Sequence, residues 1–289
     1  MKYDKNSIFL GVDLGGSNIR VCKFNNLDFI SMSSSPISSN APEEVVLNEI
    51  YSIIDPMFDK SVKAIGLAVP SVVDIEKGII YNTENIPSWK EVHLKELFEE
   101  RYGVEVFVNN DANAFVLGEA YFGKGKNYNN IVGLTIGTGL GCGIVIDRKL
   151  YMGSNCGAGE IGMMKYKEHT LEYYSSGQFF EGEFGIDGAT LYERAKKGDK
   201  KALSAFEVFG KEFGGVIMMV LYTYDPDIII LGGAVSKSFD FFKKSMWKKL
   251  EEFAYPHILK KVKIEVSEKE NIALLGAVSL CFETINLRR

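Results

Sequence analysis

One short pattern occurs twice in this chain. Ile8 to Val12 is an apolar run that leads into Asp13-Leu14-Gly15-Gly16-Ser17-Asn18, and Ile19 to Phe24 is a second run. Far downstream, Ile131 to Ile136 leads into Gly137-Thr138-Gly139-Leu140-Gly141 and then into Cys142 to Ile146. An apolar run, a tight glycine turn and a second apolar run predict paired strands. Glycine lets backbone N–H groups converge on an anion and accepts positive φ. Each turn therefore suits a phosphate, and Ser17, Asn18 and Thr138 add side-chain donors. Asp13, beside the first turn, suits a hydrated Mg²⁺, which takes few carboxylates plus phosphate oxygens. The repeat points to internal duplication.

Strands and helices alternate along the rest of the chain, which gives an α/β class. Glu43 to Ile54 spaces Val46, Leu47, Ile50, Ile53 and Ile54 at helical intervals. Val62 to Val69 reads as a buried strand stopped by Pro70. Val92 to Tyr102 reads as a helix closed by Gly103, a residue suited to the left-handed cap. Val104 to Val108 is a strand and Ala112 to Phe122 a helix. A helix over Phe206 to Tyr224 ends at Asp225-Pro226, and the strand Asp227 to Leu231 runs into Gly232-Gly233-Ala234, a third glycine turn at a strand end. Phe239 to Phe253, Val262 to Val266 and Asn271 to Phe282 read as helix, strand and helix.

Length and composition narrow the class. The 289 residues suit about two domains. Net charge is -5, so bulk electrostatics do not draw the chain to nucleic acid or an anionic membrane. No apolar run reaches bilayer length. Met1 to Ser7 is polar, which argues against a secretory signal. Cys22, Cys142, Cys156 and Cys281 are scattered and read as reduced thiols of a cytoplasmic protein.

Three carboxylates stand out. Asn110-Asp111 follows a strand and precedes a helix, the end of an α/β sheet that faces ligands. An aspartate there can accept a proton from a hydroxyl nucleophile, and it can equally be an ordinary helix N-cap. Glu160, within Gly157-Ala158-Gly159-Glu160-Ile161-Gly162, and Glu172 read either as solvated surface carboxylates or, if buried among small residues, as bidentate acceptors for vicinal sugar hydroxyls. Other motifs fail. Gly118-x-x-x-x-Gly123-Lys124 has Gly125 where a phosphate-binding loop needs Ser or Thr, and it lies along a helix. The run Gly137 to Gly143 is followed by a strand where a dinucleotide motif needs a helix. His93, His169 and His257 form no constellation, and no G-x-S-x-G elbow occurs.

Taken together, Val12-Asp13-Leu14-Gly15-Gly16-Ser17-Asn18, Asn110-Asp111-Ala112-Asn113, Thr135 to Gly141, Gly157 to Gly162 and Tyr224-Asp225-Pro226 with Ile230 to Gly233 resemble the ROK family of sugar kinases and related repressors. The resemblance runs in order from about residue 8 to 282. It implies a duplicated, actin-like or hexokinase-like fold of two α/β domains with an interdomain cleft. Residues 1–110, with the helix 271–289 packing back on them, would form the first domain, and 111–270 the larger second. It implies ATP and Mg²⁺. Asp111 would be the catalytic base, and Asn110, Glu160, Glu172 and, more loosely, Asn85 and Gly66 would line the sugar site. Asp13, Gly15, Gly16, Ser17 and Asn18 would form the first phosphate loop, and Gly137, Thr138 and Gly139 the second. Gly232, Gly233 and Ala234 would lie near the adenosine. A homodimer and phosphorylation at C6 are implied as well.

Two departures bear on the substrate. The family's usual Glu-Ile-Gly-His ends here in Met163, and its cysteine-rich segment is replaced by Lys165 to Glu172, which has no cysteine. Structural zinc wants four N or S ligands, so no zinc is expected. Zinc-free relatives of this type include kinases of N-acetylmannosamine. The expectation is an ATP-dependent kinase of a hexose or N-acetylhexosamine, of the glucose or N-acetylmannosamine class, with allose or fructose as other sugars. A sugar-sensing regulator lacking its DNA-binding segment is the alternative, with only seven polar residues before Ile8. Actin-like filament or chaperone ATPases are a third class, and they have no need of Asn110, Glu160 and Glu172.

Overall fold

The computed structural model describes residues 7–25, 28–83 and 85–287. Its strands are β1 Ile8–Leu14, β2 Asn18–Asn25, β3 Asp28–Pro36, β4 Val62–Val69, β5 Val73–Asp74, β6 Ile79–Tyr81, β7 Glu91–Val92, β8 Glu105–Asn110, β9 Ile131–Ile136, β10 Leu140–Ile146, β11 Lys149–Leu150, β12 Lys165–Tyr166, β13 His169–Thr170, β14 Ile228–Gly232 and β15 Lys263–Val266. Its helices are α1 Glu43–Ile54, α2 Leu94–Tyr102, α3 Asp111–Phe122, α4 Leu171–Ser175, α5 Gly177–Phe184, α6 Gly188–Lys196, α7 Lys200–Tyr224, α8 Phe239–Leu250, α9 Pro256–Leu259 and α10 Ile272–Leu287.

The chain divides into two compact units. The first comprises Met1–Gly123, Lys149–Ala158 and Lys269–Arg289, and the second Lys124–Arg148 and Gly159–Glu268. The sequence boundary at residue 110 lies one helix earlier. Helix α3 sits with the first unit because it packs on α10 almost backbone to backbone. A Cβ on Gly276 would lie 2.0 Å from the Ala114 carbonyl oxygen, and one on Gly118 would lie 2.5 Å from that of Ile272.

In the first unit the sheet order is β3-β2-β1-β4-β8. β1 and β2 form an antiparallel hairpin around the first glycine turn, and β4 and β8 add on in parallel. The second unit contains the order β10-β9-β14-β15, with β9 and β10 antiparallel around the second glycine turn and β14 and β15 parallel. The same ladder is built twice, as the repeated motif predicts.

Both faces of the first sheet are covered. Val46, Leu47, Ile50 and Ile54 of α1 and Phe98 of α2 pack on one face with Leu10, Val12, Ile65 and Leu67. Leu274, Leu275 and Val278 of α10 close the other, against Phe9, Cys22 and Phe24. Full burial of each such side chain contributes about 1.5–3 kcal/mol. Gly66, in the middle of β4, makes this approach possible. A Cβ there would lie 1.9 Å from the Ala277 carbonyl oxygen. Packing therefore accounts for the glycine that the sequence associates with the sugar site.

Several elements differ from expectation. Helix α7 begins at Lys200, well before Phe206, because the Asp199 side chain caps it by accepting from the amides of Lys201 and Ala202. It ends where Asp225 turns left-handed at φ 43. Helix α2 begins at Leu94, since Val92 pairs with Ile80 in a small sheet. Strand β3 has no apolar alternation. It is a serine-rich edge strand, with Ile30 and Met32 half exposed, held by its ladder to β2.

Candidate functional site

In the first unit, the turn after β1 is closed by the Gly15 amide, which donates to the Asn18 carbonyl at 2.9 Å. Gly16 rests against Asn85, where a Cβ would lie 2.9 Å from the Asn85 Cβ. Asp13 sits opposite Arg20 in the hairpin register. Its Oδ2 accepts from Arg20 Nε at 3.0 Å and from Arg20 Nη2. The expected Mg²⁺ carboxylate is thus already paired with a cation. Ser17 and Asn18 are exposed at the turn.

Strand β8 ends and α3 starts at Asn110-Asp111. Asn110 is the N-cap. Its Oδ1 accepts from the Ala112 amide at 2.8 Å and the Asn113 amide at 3.4 Å, and its Nδ2 donates to the Ser71 carbonyl at 3.2 Å. Both polar ends of the side chain are engaged within the protein. Asp111 is the first helical residue, and its Oδ1 accepts from the Ala112 amide at 2.8 Å. A carboxylate in the first helical turn is stabilised by the helix macrodipole.

Sequence reasoning missed the hydrogen-bond network around Asn109. The buried Asn109 accepts from the Asn110 amide at 2.8 Å and from Asn113 Nδ2 at 3.0 Å, and it donates to Met152 Sδ at 3.0 Å. The Cys156 thiol donates to Asn109 Oδ1 at 3.5 Å, from a left-handed backbone at φ 57. A polar residue at the end of an otherwise apolar strand was the available signal.

In the second unit, the Gly137 amide donates to the Gly139 carbonyl at 3.0 Å, and the Gly177 amide donates to the Gly137 carbonyl at 2.8 Å. The Glu172 carboxylate braces the turn from α4. Oε2 accepts from the Leu140 amide at 2.9 Å, and Oε1 accepts from Gln178 Nε2 at 2.9 Å. A Cβ on Gly139 would lie 2.5 Å from Glu172 Oε2, so a larger residue there would displace this carboxylate.

The turn opens onto a cavity of about 510 Å³, whose walls include Gly137, Thr138, Gln178, Tyr192, Ala234 and Lys237. That size falls in the range of small-molecule sites, about 300–1,000 Å³. Of the expected nucleotide residues, Gly137, Thr138 and Ala234 meet here. Gly232 is buried at the end of β14, and Gly233, at φ 83, lies against the Ile136 backbone. Gln178, Tyr192 and Lys237 carry no local motif and were not foreseen.

Glu160 opens the short 3-10 turn Glu160–Met163 after Gly159, whose backbone is left-handed at φ 99. Partial burial, then the charge of Glu172, raises the Glu160 carboxyl above its ordinary value. Burial, with Glu160 beside it, pushes the Cys142 thiol up to about 12. Met163 is 66% exposed, so its apolar side chain is not spent on the core. The segment that replaces the cysteine-rich stretch forms the β12–β13 hairpin, and His169 stacks on Tyr173 at 4.0 Å. Among the described residues, no group of three His, Cys, Asp or Glu side chains could hold a metal.

Comparison with known proteins agrees with this construction. The Thermotoga maritima glucokinase is 26% identical over 96% of this chain and 98% of its own length. A putative xylose repressor from a Caldicellulosiruptor strain is 25% identical over 97% of this chain and 79% of its own. The crystal structure of a ROK family glucokinase from Streptomyces griseus, in complex with glucose and AMPPNP, superposes with a TM-score of 0.79 at 26% identity, covering 94% of this chain and 98% of that one. The duplicated, hexokinase-type α/β fold expected from the sequence is the fold these comparisons give. The sequence profile of the ROK family matches residues 9–284, and the chain belongs to that family.

Proposed function

We propose that the protein is an ATP-dependent sugar kinase acting on a hexose or N-acetylhexosamine, of the glucose or N-acetylmannosamine class. The observation that carries this reading is the cavity walled by the second glycine turn, which offers backbone amides to phosphates and an aromatic wall to a base.

The residues divide the work. The sugar hydroxyl, taken here as the C6 hydroxyl, attacks the γ-phosphorus of ATP. Its O–P bond forms as the bond from the γ-phosphorus to the bridging oxygen breaks, and ADP leaves. Asp111 accepts the hydroxyl proton from its place in the first turn of α3. Glu160 and Glu172 accept hydrogen bonds from sugar hydroxyls, with Asn85 beside the first glycine turn. Asn110 holds the start of α3. Gly15, Gly16, Ser17 and Asn18, with Gly137, Thr138 and Gly139, receive the phosphates, and Ala234 borders the adenosine.

The donor set fits Mg²⁺ in one limited way. Asp13 is a single carboxylate beside a phosphate turn, and Mg²⁺ is commonly held by one or two carboxylates plus substrate phosphates. Asp13 would hold the ion, whose charge would offset that of the phosphates. Arg20, paired with Asp13 Oδ2, would have to yield that carboxylate to the ion. The same reading carries a zinc-free, cytoplasmic homodimer. Among the described residues no helix is long and apolar enough to cross a membrane.

A coupled ADP-release assay with ATP and a panel of glucose, N-acetylmannosamine, N-acetylglucosamine, allose and fructose tests the reading. Sugar-dependent ADP release with at least one of them is expected. Release independent of every sugar contradicts it.

A further inference from the structure

Glu172 and Gln178 form a connection that the proposed reaction does not by itself require. Helix α4 ends at Ser175, and Ser176 caps the next helix by accepting from the Gln178 amide at 3.3 Å. That sharp junction turns the Gln178 side chain back toward Glu172 while leaving it exposed on the wall of the 510 Å³ cavity. The two Glu172 oxygens then face different ways. Oε2 holds the Leu140 amide, which follows the glycine turn, and Oε1 holds the Gln178 amide group, each at 2.9 Å. On the turn side Oε2 also lies against Gly139, 2.5 Å from where a Cβ would stand. A carboxylate has about four lone-pair sites. Two donors from the protein therefore leave room for a sugar hydroxyl and fix the direction from which it must come.

We propose that Gln178 is a positioning residue that couples the two substrates, with nucleotide in the cavity fixing Gln178, Gln178 fixing the Glu172 carboxylate, and the carboxylate setting both the second glycine turn and its sugar-hydroxyl acceptor. The inference rests on the assignment of the cavity to ATP and of Glu172 to the sugar. It adds that neither affinity is independent of the other. Such coupling is reciprocal and commonly amounts to about 5- to 150-fold in affinity. Removing the Gln178 donor keeps the glycine turn and the Glu172 carboxylate and cuts the link between them.

The test is calorimetric titration of unphosphorylated N-acetylmannosamine, and of glucose in parallel, into the protein, with and without saturating AMPPNP, for wild type and for Gln178→Met, which keeps the side-chain length and removes the donor. In the wild type, AMPPNP is expected to tighten sugar binding by about 5-fold or more. In Gln178→Met both ligands still bind, each more weakly because the Glu172 carboxylate has lost a donor, and the ratio falls to near one. Amide exchange at Leu140 gives a second readout, with AMPPNP slowing it in the wild type and not in the variant. A wild-type ratio of one, or an undiminished ratio in Gln178→Met, overturns the coupling while leaving the kinase reading intact. Failure of either ligand to bind the wild type overturns that reading and the coupling with it.

Discussion

The Leu140 amide donates to the Glu172 carboxylate at 2.9 Å, which ties the second glycine turn to α4. A hydrogen bond to a charged group is worth about 1.5–3 kcal/mol. Glu172→Ala should accordingly raise the sugar KM roughly 10- to 150-fold, since 1.4 kcal/mol is tenfold. Because the turn loses its brace, the ATP KM should rise as well. Steady-state kinetics with each substrate varied in turn gives both values, and an unchanged sugar KM removes Glu172 from the pocket.

Glu160 gives the pH dependence. Its carboxyl lies above the ordinary 4.5 through partial burial and the charge of Glu172. Only the ionised form accepts two hydroxyl donors, so sugar binding is strong above the raised pKa and weakens as pH falls through it. For stability the sign is opposite. A raised carboxyl favours the folded state at low pH, and that contribution disappears as pH rises through the folded-state value. The acid limb of kcat/KM should lie above 4.5 and lose its Glu160 component in Glu160→Gln. An identical limb in the variant assigns it to another group.

Gly66 provides a test of packing separate from catalysis. In Gly66→Ala the new methyl would lie 1.9 Å from a backbone oxygen of α10, with no flexible side chain to yield. Overpacking typically costs about 1–3 kcal/mol, and a backbone clash belongs at the upper end. Chemical denaturation should show that loss. A variant as stable as wild type would mean that β4 and α10 are not in the described contact.

Much of this fold is legible in the sequence where local pattern and burial coincide. Strand β4 and helix α1 match their expected limits because every inward position is apolar and Pro70 or Asp55-Pro56 marks the end. Strand β3 is illegible because its stability lies in hydrogen bonds to β2 and its side chains are largely exposed. Among the proposed functional residues, Asp111, Glu160, Glu172 and the glycine turns stand on compact local motifs. Gln178, Tyr192 and Asn109 do not, since their roles arise from neighbours that are distant in sequence or in another element. Asn110 shows a different limit. Helix capping and ligand binding favour the same residue type at the same place, and only the hydrogen bonds reveal that its side chain caps α3.

Met163 sets the substrate expectation. Exposed and apolar, it offers a surface that an acetyl methyl group tolerates. N-acetylmannosamine should be used at least as well as glucose, as measured by kcat/KM on both sugars. A clear preference for glucose contradicts this assignment. With no histidine at that position and no cysteine from Lys165 to Glu172, full activity should survive a strong chelator once Mg²⁺ is restored. One zinc per chain by elemental analysis contradicts that expectation.

The central claim is that Asp111 accepts the proton of the attacking sugar hydroxyl. Asp111→Asn keeps the size of the side chain and removes the base. General-base groups contribute about 10²–10⁴-fold to rate. The decisive measurement is single-turnover ADP formation by wild type and Asp111→Asn at saturating sugar and ATP, with both affinities measured alongside. The account predicts a fall of that size in the rate of phosphoryl transfer, with sugar and nucleotide affinities near wild type. A rate close to wild type at normal affinities contradicts it.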